Sequence, residues 1–226
     1  MLSEYFFWIM KEFKIDNTGS GTLFQNPLLE KLTRTHFAFP VILYFVIGFL
    51  SMMCGFLYSD ASWISLFYLF PTGMLFFSLV EYLIHRFLFH FNAETESEKK
   101  LQYTIHGVHH EFPKDKDRLV MPPLVSIFLA AFFFVLFILT IGNNTWFFYS
   151  GFVSGYSIYL LIHFAVHRYR PPRNFFRIFW KHHALHHYKS TDGYYSVSFP
   201  LWDYLFRTIK QGTDDRALAS RLPDMH

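Results

Sequence analysis

Residues 119–167 read LVMPPLVSIFLAAFFFVLFILTIGNNTWFFYSGFVSGYSIYLLIHFAVH, without one Asp, Glu, Lys or Arg. A bilayer's hydrocarbon core, about 30 Å thick, needs roughly 20 residues of helix to cross it, so this stretch is long enough to cross twice. Its one run of turn residues, Gly142-Asn143-Asn144-Thr145, divides it into Leu124–Ile141 and Trp146–Ala165. Upstream, Val41–Tyr58 and Trp63–Leu83 form a second apolar pair, joined by Ser59-Asp60-Ala61-Ser62. The pattern predicts an all-α integral membrane protein with four transmembrane helices in two hairpins. Pro71 lies inside the second helix and should kink it, which neighbouring helices in a membrane tolerate.

Composition agrees. Of 226 residues 52% are hydrophobic and 16% charged, with 31 Phe, whereas an ordinary soluble domain carries about 25% charged residues. The single cysteine, Cys54, sits in an apolar run; it reads as a small residue facing core or lipid and leaves no Cys-based metal site. All twenty Lys and Arg lie outside the two short turns, in the N-terminal segment, residues 86–118 and residues 168–226. Basic residues collect on the cytoplasmic side, so both turns face away from the cytoplasm and both termini face it. The basic residues flank spans and suit anionic lipid head groups; nothing supports nucleic-acid binding. The opening MLSEYFFWIMKEFKI is broken by Glu4, Lys11, Glu12 and Lys14 and lacks a small-residue cleavage site, so it is no signal peptide. It reads equally as an amphipathic helix on the membrane or as a packing helix. The chain then divides into an interfacial segment (1–40), a membrane domain (41–210) and a tail (211–226). The sequon at Asn143 lies too close to the bilayer to be glycosylated.

Ten of the thirteen histidines fall into four clusters: His85/His90, His106/His109/His110, His163/His167 and His183/His186/His187. Two hairpins return the chain to one membrane face, and every cluster lands there. Imidazole is the commonest metal ligand, and positions i, i+3 and i+4 of a helix share a face. His106/His109/His110 and His183/His186/His187 therefore each offer three imidazoles on one face, and His163/His167 a two-ligand clamp. His85 and His90 diverge by about 140° on an ideal helix, so that pair needs a distorted helix or two different metals. Ten imidazoles exceed what one ion takes and imply two metals. Something must offset the positive charge; Glu81, Glu111, Asp192 and Asp203 are the carboxylates placed to sit behind the ligands and orient them. His182 adjoins a cluster and reads as a supporting or an exposed residue, while His36 and His226 read as structural.

Imidazole suits iron, copper, nickel and zinc alike. Iron can use O₂ on unactivated C–H bonds, the chemistry natural to a hydrophobic enzyme, whereas zinc cannot change redox state. By the Irving–Williams order the same site binds Zn²⁺ more tightly than Fe²⁺, so isolated material can carry zinc in place of working iron.

The boxes HRFLFH, HGVHH, HFAVH and HALHH resemble those of the membrane fatty acid hydroxylase superfamily, histidine-rich diiron oxygenases. LIHRFLFH followed by HGVHHEFPKDKDRLVMPP, and FWKHHALHHYK with a trailing LWDYLF, are similar to the catalytic domain of fatty acid 2-hydroxylases of sphingolipid metabolism; the run Arg118–Pro123 favours that branch. The likeness spans roughly residues 26 to 210. It implies a monooxygenase that hydroxylates carbon 2 of a fatty acid or a ceramide acyl chain, with two irons, O₂ as co-substrate and all ten histidines as ligands, on a four-span fold capped by a cytosolic helical domain that carries the metals. Many relatives carry a cytochrome-b5-type domain ahead of the hydroxylase. About forty residues precede the first span here, so electrons are expected from a separate carrier of cytochrome-b5 or ferredoxin type with its reductase. In the family a Tyr-Asp pair precedes the HxxxH box; here the pair is Tyr159-Leu160, which leaves Tyr159 to donate a hydrogen bond or to pack.

Methylenes are chemically alike, so the reacting carbon must be chosen by anchoring the head group. Tyr188, Lys189, Asp192, Tyr194, Tyr195, Trp202 and Asp203, beside the last box, are candidates for substrate binding or for interfacial anchoring. Sterol or carotenoid oxidation by the same metals, and a membrane metal transporter or sensor, are the rival readings. A transporter would bind near the bilayer midplane, not at one surface. The membrane is a bacterial inner membrane or the endoplasmic reticulum.

Overall fold

The structure, a computed structural model, describes residues 15–59 and 62–210. The expectations for residues 1–14, for the tail from 211 and for His226 lie outside the described residues. Those described are helix, turn and loop, with no strand. Three continuous segments are long and apolar enough to cross a membrane: Ala38–Tyr58, Trp63–Phe89 and Pro123–Arg168.

The first segment is α2 (Ala38–Tyr58), preceded by the short α1 (Pro27–Leu32), which Asn26 caps by accepting from the Leu28 and Leu29 amides. Helix α3 (Trp63–Ile84) continues through Pro71 and ends in a π-helical turn, His85–Phe89. A cap of small elements follows: α4 (Glu96–Gln102), opened by a Thr95–Glu98 capping box, a second π turn (Tyr103–Gly107) and α5 (Val108–Glu111). The 46-residue third segment breaks at Gly142–Asn144 into α6 (Pro123–Ile141) and α7 (Thr145–Arg168). Gly142 has φ +57°, a left-handed conformation that costs glycine nothing. Beyond it α7 folds back along α6: the Tyr149 hydroxyl donates to the Ala130 carbonyl at 3.0 Å, and Phe133 meets Phe152 with centroids 4.8 Å apart. Helices α8 (Arg177–Tyr188) and α9 (Leu201–Leu205) complete the chain.

Helix α7 is the spine. Apolar side chains are as comfortable in lipid as against one another, so helices in a membrane associate through small residues and hydroxyls that let backbones approach. Ser150 donates to the Gly48 carbonyl at 2.6 Å, Ser51 to Trp146 at 2.7 Å and Ser157 to Val41 at 3.2 Å, tying α7 to α2. Against α3 the approach is closer still. A methyl group on Gly73 would collide with the Phe148 carbonyl, and one on Gly151 with the Phe70 carbonyl. The outward faces carry Phe67, Phe128 and Leu139, between 76% and 84% exposed, as lipid contact demands.

Gly151→Ala should therefore force α3 and α7 apart at a cost of about 1–3 kcal/mol, seen as a lower midpoint of thermal unfolding in detergent. An unchanged midpoint would place the two backbones further apart than this.

Candidate metal centre

Local distortion brings the histidines together. In the π turn after α3 the His90 amide donates to the His85 carbonyl five residues back, at 3.2 Å, and the two rings come within 5.1 Å of each other. A π turn accommodates one extra residue per turn, so the pair that diverges on an α-helix converges here. The second π turn delivers His106 directly into α5, which holds His109 and His110. His163 and His167 lie on the last two turns of α7, which runs three residues beyond the Ala165 boundary expected from composition. His183, His186 and His187 lie on α8.

All ten expected ligands meet in two sets of five. His85, His90, His106, His110 and His186 form one; His109, His163, His167, His183 and His187 form the other, and within each set the offered atoms lie within 4.8 Å of one another. Each HxxHH box is divided between the sets, in opposite senses. Positions i and i+4 of the box that runs from the second π turn into α5 (His106, His110) join the first and its i+3 position (His109) the second, while α8 sends His183 and His187 to the second and His186 to the first. Residues i+3 and i+4 lie on either side of i, about 100° from each other on a helix, so one box can reach to both sides.

The ring nitrogens fit a cation. Nδ1 of His85 donates to the Tyr195 carbonyl at 2.5 Å, that of His186 to Gly193 at 2.8 Å and that of His163 to Leu119 at 2.9 Å. A ring whose Nδ1 carries the proton in its neutral form presents a bare lone pair at Nε2. His106 Nε2 lies 3.1 Å from Nε2 of both His85 and His110, and His110 Nε2 lies 3.2 Å from that of His186. In the second set His163 Nε2 is 3.1 Å from His109 Nε2. Burial, reinforced by neighbouring imidazoles, holds His106, His109, His110, His183 and His187 well below the ordinary histidine pKa. The rings are neutral, buried and aimed at shared points, as metal ligation requires.

The other candidates fall in several places. Glu81 is buried one turn before His85 and accepts from the Val197 and Ser198 amides at 2.7 and 3.3 Å and from the Ser198 hydroxyl. Asp203, fully buried, accepts from the amides of Tyr195 and Ser196. Glu111 takes the Tyr103 hydroxyl at 2.5 Å, and Asp192 and Lys189 are exposed. Tyr188 reaches toward Asn17, Tyr194 donates to the Lys210 carbonyl and Trp202 donates to Ser78. His182 is buried between the rings of Tyr194 and Tyr204, and exposed His36 accepts from the Ala38 amide at the start of α2.

A cavity of about 580 Å³ runs from Phe77, Phe133 and Phe152 among the long helices to His85, His106, His109 and His163, members of both sets. Tyr159 also lines it and stacks on His163 at 5.5 Å, with the rings 8° from parallel. None of Tyr188, Asp192, Tyr194, Tyr195, Trp202 or Asp203 lines it. Arg118, singled out in the sequence only as part of a run, lines it instead. Its guanidinium donates to Thr33 at 2.9 Å and to the Gly21 carbonyl at 2.8 Å, pairs with Glu30, and faces Asp115 at 3.5 Å. Glu30 in turn accepts from the Leu23 and Phe24 amides. This network straps residues 20–34 over the cavity, with Leu23 and Phe24 in its wall.

Comparison with known proteins agrees with this geometry. The family model described as "Fatty acid hydroxylase" matches residues 70–208. The fatty acid 2-hydroxylase of Mus musculus is 37% identical over 148 residues, 62% of this chain and 39% of that protein. The ceramide very long chain fatty acid hydroxylase scs7 of Schizosaccharomyces pombe is 34% identical over 204 residues, 84% of this chain and 55% of that protein. A solved structure described as full-length scs7p, with only its hydroxylase domain visible, superposes with a TM-score of 0.77 at 32% identity, covering 85% of this chain and 73% of the other. The chain thus spans between 39% and 55% of the length of these two curated relatives.

Arg118→Met would leave Glu30 and Asp115 paired only with the half-buried Arg34. A loss of about 1.5–3 kcal/mol is expected, measured by unfolding in detergent, with residues 20–34 becoming more accessible to protease. Full stability in this variant would mean that the strap is held by its apolar contacts alone.

Proposed function

The chain belongs to the fatty acid hydroxylase family, and from that premise we propose that it is an O₂-dependent diiron monooxygenase acting at carbon 2 of a fatty acid or of a ceramide acyl chain. The observation that carries this reading is the cavity: an apolar passage from among the long helices that ends on imidazoles of both five-histidine sets. An acyl chain is what such a wall admits, and its reacting carbon would be presented where two metals are within reach. Bound iron would supply the O₂ redox chemistry that an unactivated C–H bond requires.

The chain's own residues do the rest. The ten histidines hold the ions, and the carbonyls of Tyr195, Gly193 and Leu119 orient three of the rings. Apolar walls exclude water and competing reactions. Tyr159, stacked on His163 in the cavity wall, is positioned to hold a hydrogen bond at the reacting end. In this reading α2, α3, α6 and α7 are four spans, with both metal sites and both termini on the cytoplasmic side. Electrons arrive from a cytochrome-b5-type or ferredoxin-type carrier. Zinc replaces iron during isolation, following the Irving–Williams order.

Expression in cells that lack 2-hydroxylated lipids, followed by lipid mass spectrometry, tests the reading. The unsubstituted chain is expected to yield 2-hydroxyacyl lipids. His109→Ala should bring them to background, beyond the about 10–100-fold losses caused by changes behind metal ligands. Oxidised sterols or carotenoids in their place would assign the site to those substrates. Purified protein free of transition metal would end the two-metal reading.

A further inference from the structure

The loop at residues 193–198 faces two ways. Inward, its Gly193 and Tyr195 carbonyls accept from His186 and His85, both of the first histidine set. Outward, its amides meet buried carboxylates. The Tyr195 and Ser196 N–H groups donate to Asp203 at 2.9 and 2.8 Å, and Val197 and Ser198 donate to Glu81. The Tyr195 carbonyl and the Ser196 N–H belong to one peptide unit. A single planar amide therefore bridges the Asp203 carboxylate to the His85 ring: the carboxylate takes its hydrogen and the imidazole donates to its oxygen. The neighbouring unit is held similarly. Its Gly193 carbonyl accepts from His186, while its Tyr194 N–H donates to the Thr208 carbonyl at 3.3 Å, and the Thr208 hydroxyl donates to Asp203 at 2.6 Å.

Asp203 is 0% exposed and Glu81 8% exposed, and among the described residues neither forms an ion pair with Lys, Arg or His. A buried carboxylate with no cation is costly, and hydrogen-bonded chains in a low-dielectric interior polarise one another. An anion at the far end of such a chain makes the near-end imidazole a stronger donor of its lone pair. In the second set, among the described residues, the ring held by a backbone carbonyl is His163, which donates to Leu119, outside this loop.

We propose that Asp203, with Glu81 bracing the same loop, is a positioning residue that acts through the 195–196 and 193–194 peptide units to set the metal affinity of the first histidine set alone. The two metal sites are then unequal by construction. This rests on the two-metal reading above. The full-length chain in detergent, stripped of metal and titrated with Co²⁺ and then Zn²⁺, tests it through stoichiometry and the visible Co²⁺ spectrum. The unsubstituted chain should take two equivalents. Asp203→Asn should weaken one equivalent by about 10–100-fold and leave the other in place. His167→Ala, in the second set, should remove the equivalent that Asp203→Asn spares. Ser198→Ala, which removes only one donor from Glu81, should shift the same equivalent in the same direction by less, and it decides the matter if Asp203→Asn does not fold. Equal weakening of both equivalents, or two unchanged affinities in the folded variants, would overturn the relay. Fewer than two equivalents on the unsubstituted chain would instead overturn the two-metal reading, and the relay with it.

Discussion

Convergent lone pairs are the constraint around which the rest of this molecule is arranged. Neutral imidazoles in a dry interior have no reason to crowd, since each Nε2 stripped of water needs a donor. Yet Nε2 of His106 has two other imidazole nitrogens at 3.1 Å, and two of the contributing rings have their single proton committed elsewhere, to the carbonyls of Tyr195 and Gly193. A cation at the shared point would satisfy such an array. The fold holds it there by surrounding the rings with rigid attachments. His85 and His90 ride on a π turn at the end of α3, His163 and His167 on the spine helix, and the two HxxHH boxes on α5 and α8, each straddling both sets. Because each box serves both sets, the two groups of imidazoles cannot be positioned independently. A shift of α8 would move His186 in one set together with His183 and His187 in the other.

The membrane part supplies the stiffness this needs. Polar residues at depth are few, so α7 is fastened by serine hydroxyls reaching backbone carbonyls of α2 and by glycines that bring it into contact with α3. Those contacts lie along the same helix that carries His163 and His167. The packing of the spans and the aim of two ligands are therefore one structural problem, solved by one helix.

Much of this was legible in the residues. The apolar runs set the long helices to within three residues at each end, because lipid imposes a length and excludes charge, and both requirements show directly in composition. The histidine boxes were legible because helical spacing translates side-chain identity into a shared face. What stayed hidden was carried by backbone. The π turn that reconciles His85 with His90 has no residue signature, and the spacing announced only that the pair needed a distorted helix or two different metals. The carbonyls that orient His85, His163 and His186 could come from any residue type. Arg118 appeared as one letter in a run, since its partners Gly21, Thr33 and Glu30 lie some 85 to 97 positions away. The aromatic and acidic residues after the last box looked like substrate contacts because they are polar, rare in this chain and near the ligands. Most of them build the 193–208 loop instead, and nearness along the chain did not put them in the cavity wall.

The make-up of the cavity wall bears on how one carbon is selected. Away from its histidines, Arg118 and Glu81 the cavity is walled mainly by aliphatic and aromatic side chains, and such a wall distinguishes one methylene from the next by no more than about 1–3 kcal/mol. A hydroxylase confined to one carbon therefore needs a stop for the chain rather than a grip along it. The strap of residues 20–34, pinned by Arg118 and Glu30 and lending Leu23 and Phe24 to the wall, gives the cavity one element tied down by buried charge. Charge pairs of this kind are stiff where methylenes slide. For the acyl substrate proposed above, the strap is therefore a part of the wall held by buried charge as well as by apolar contact.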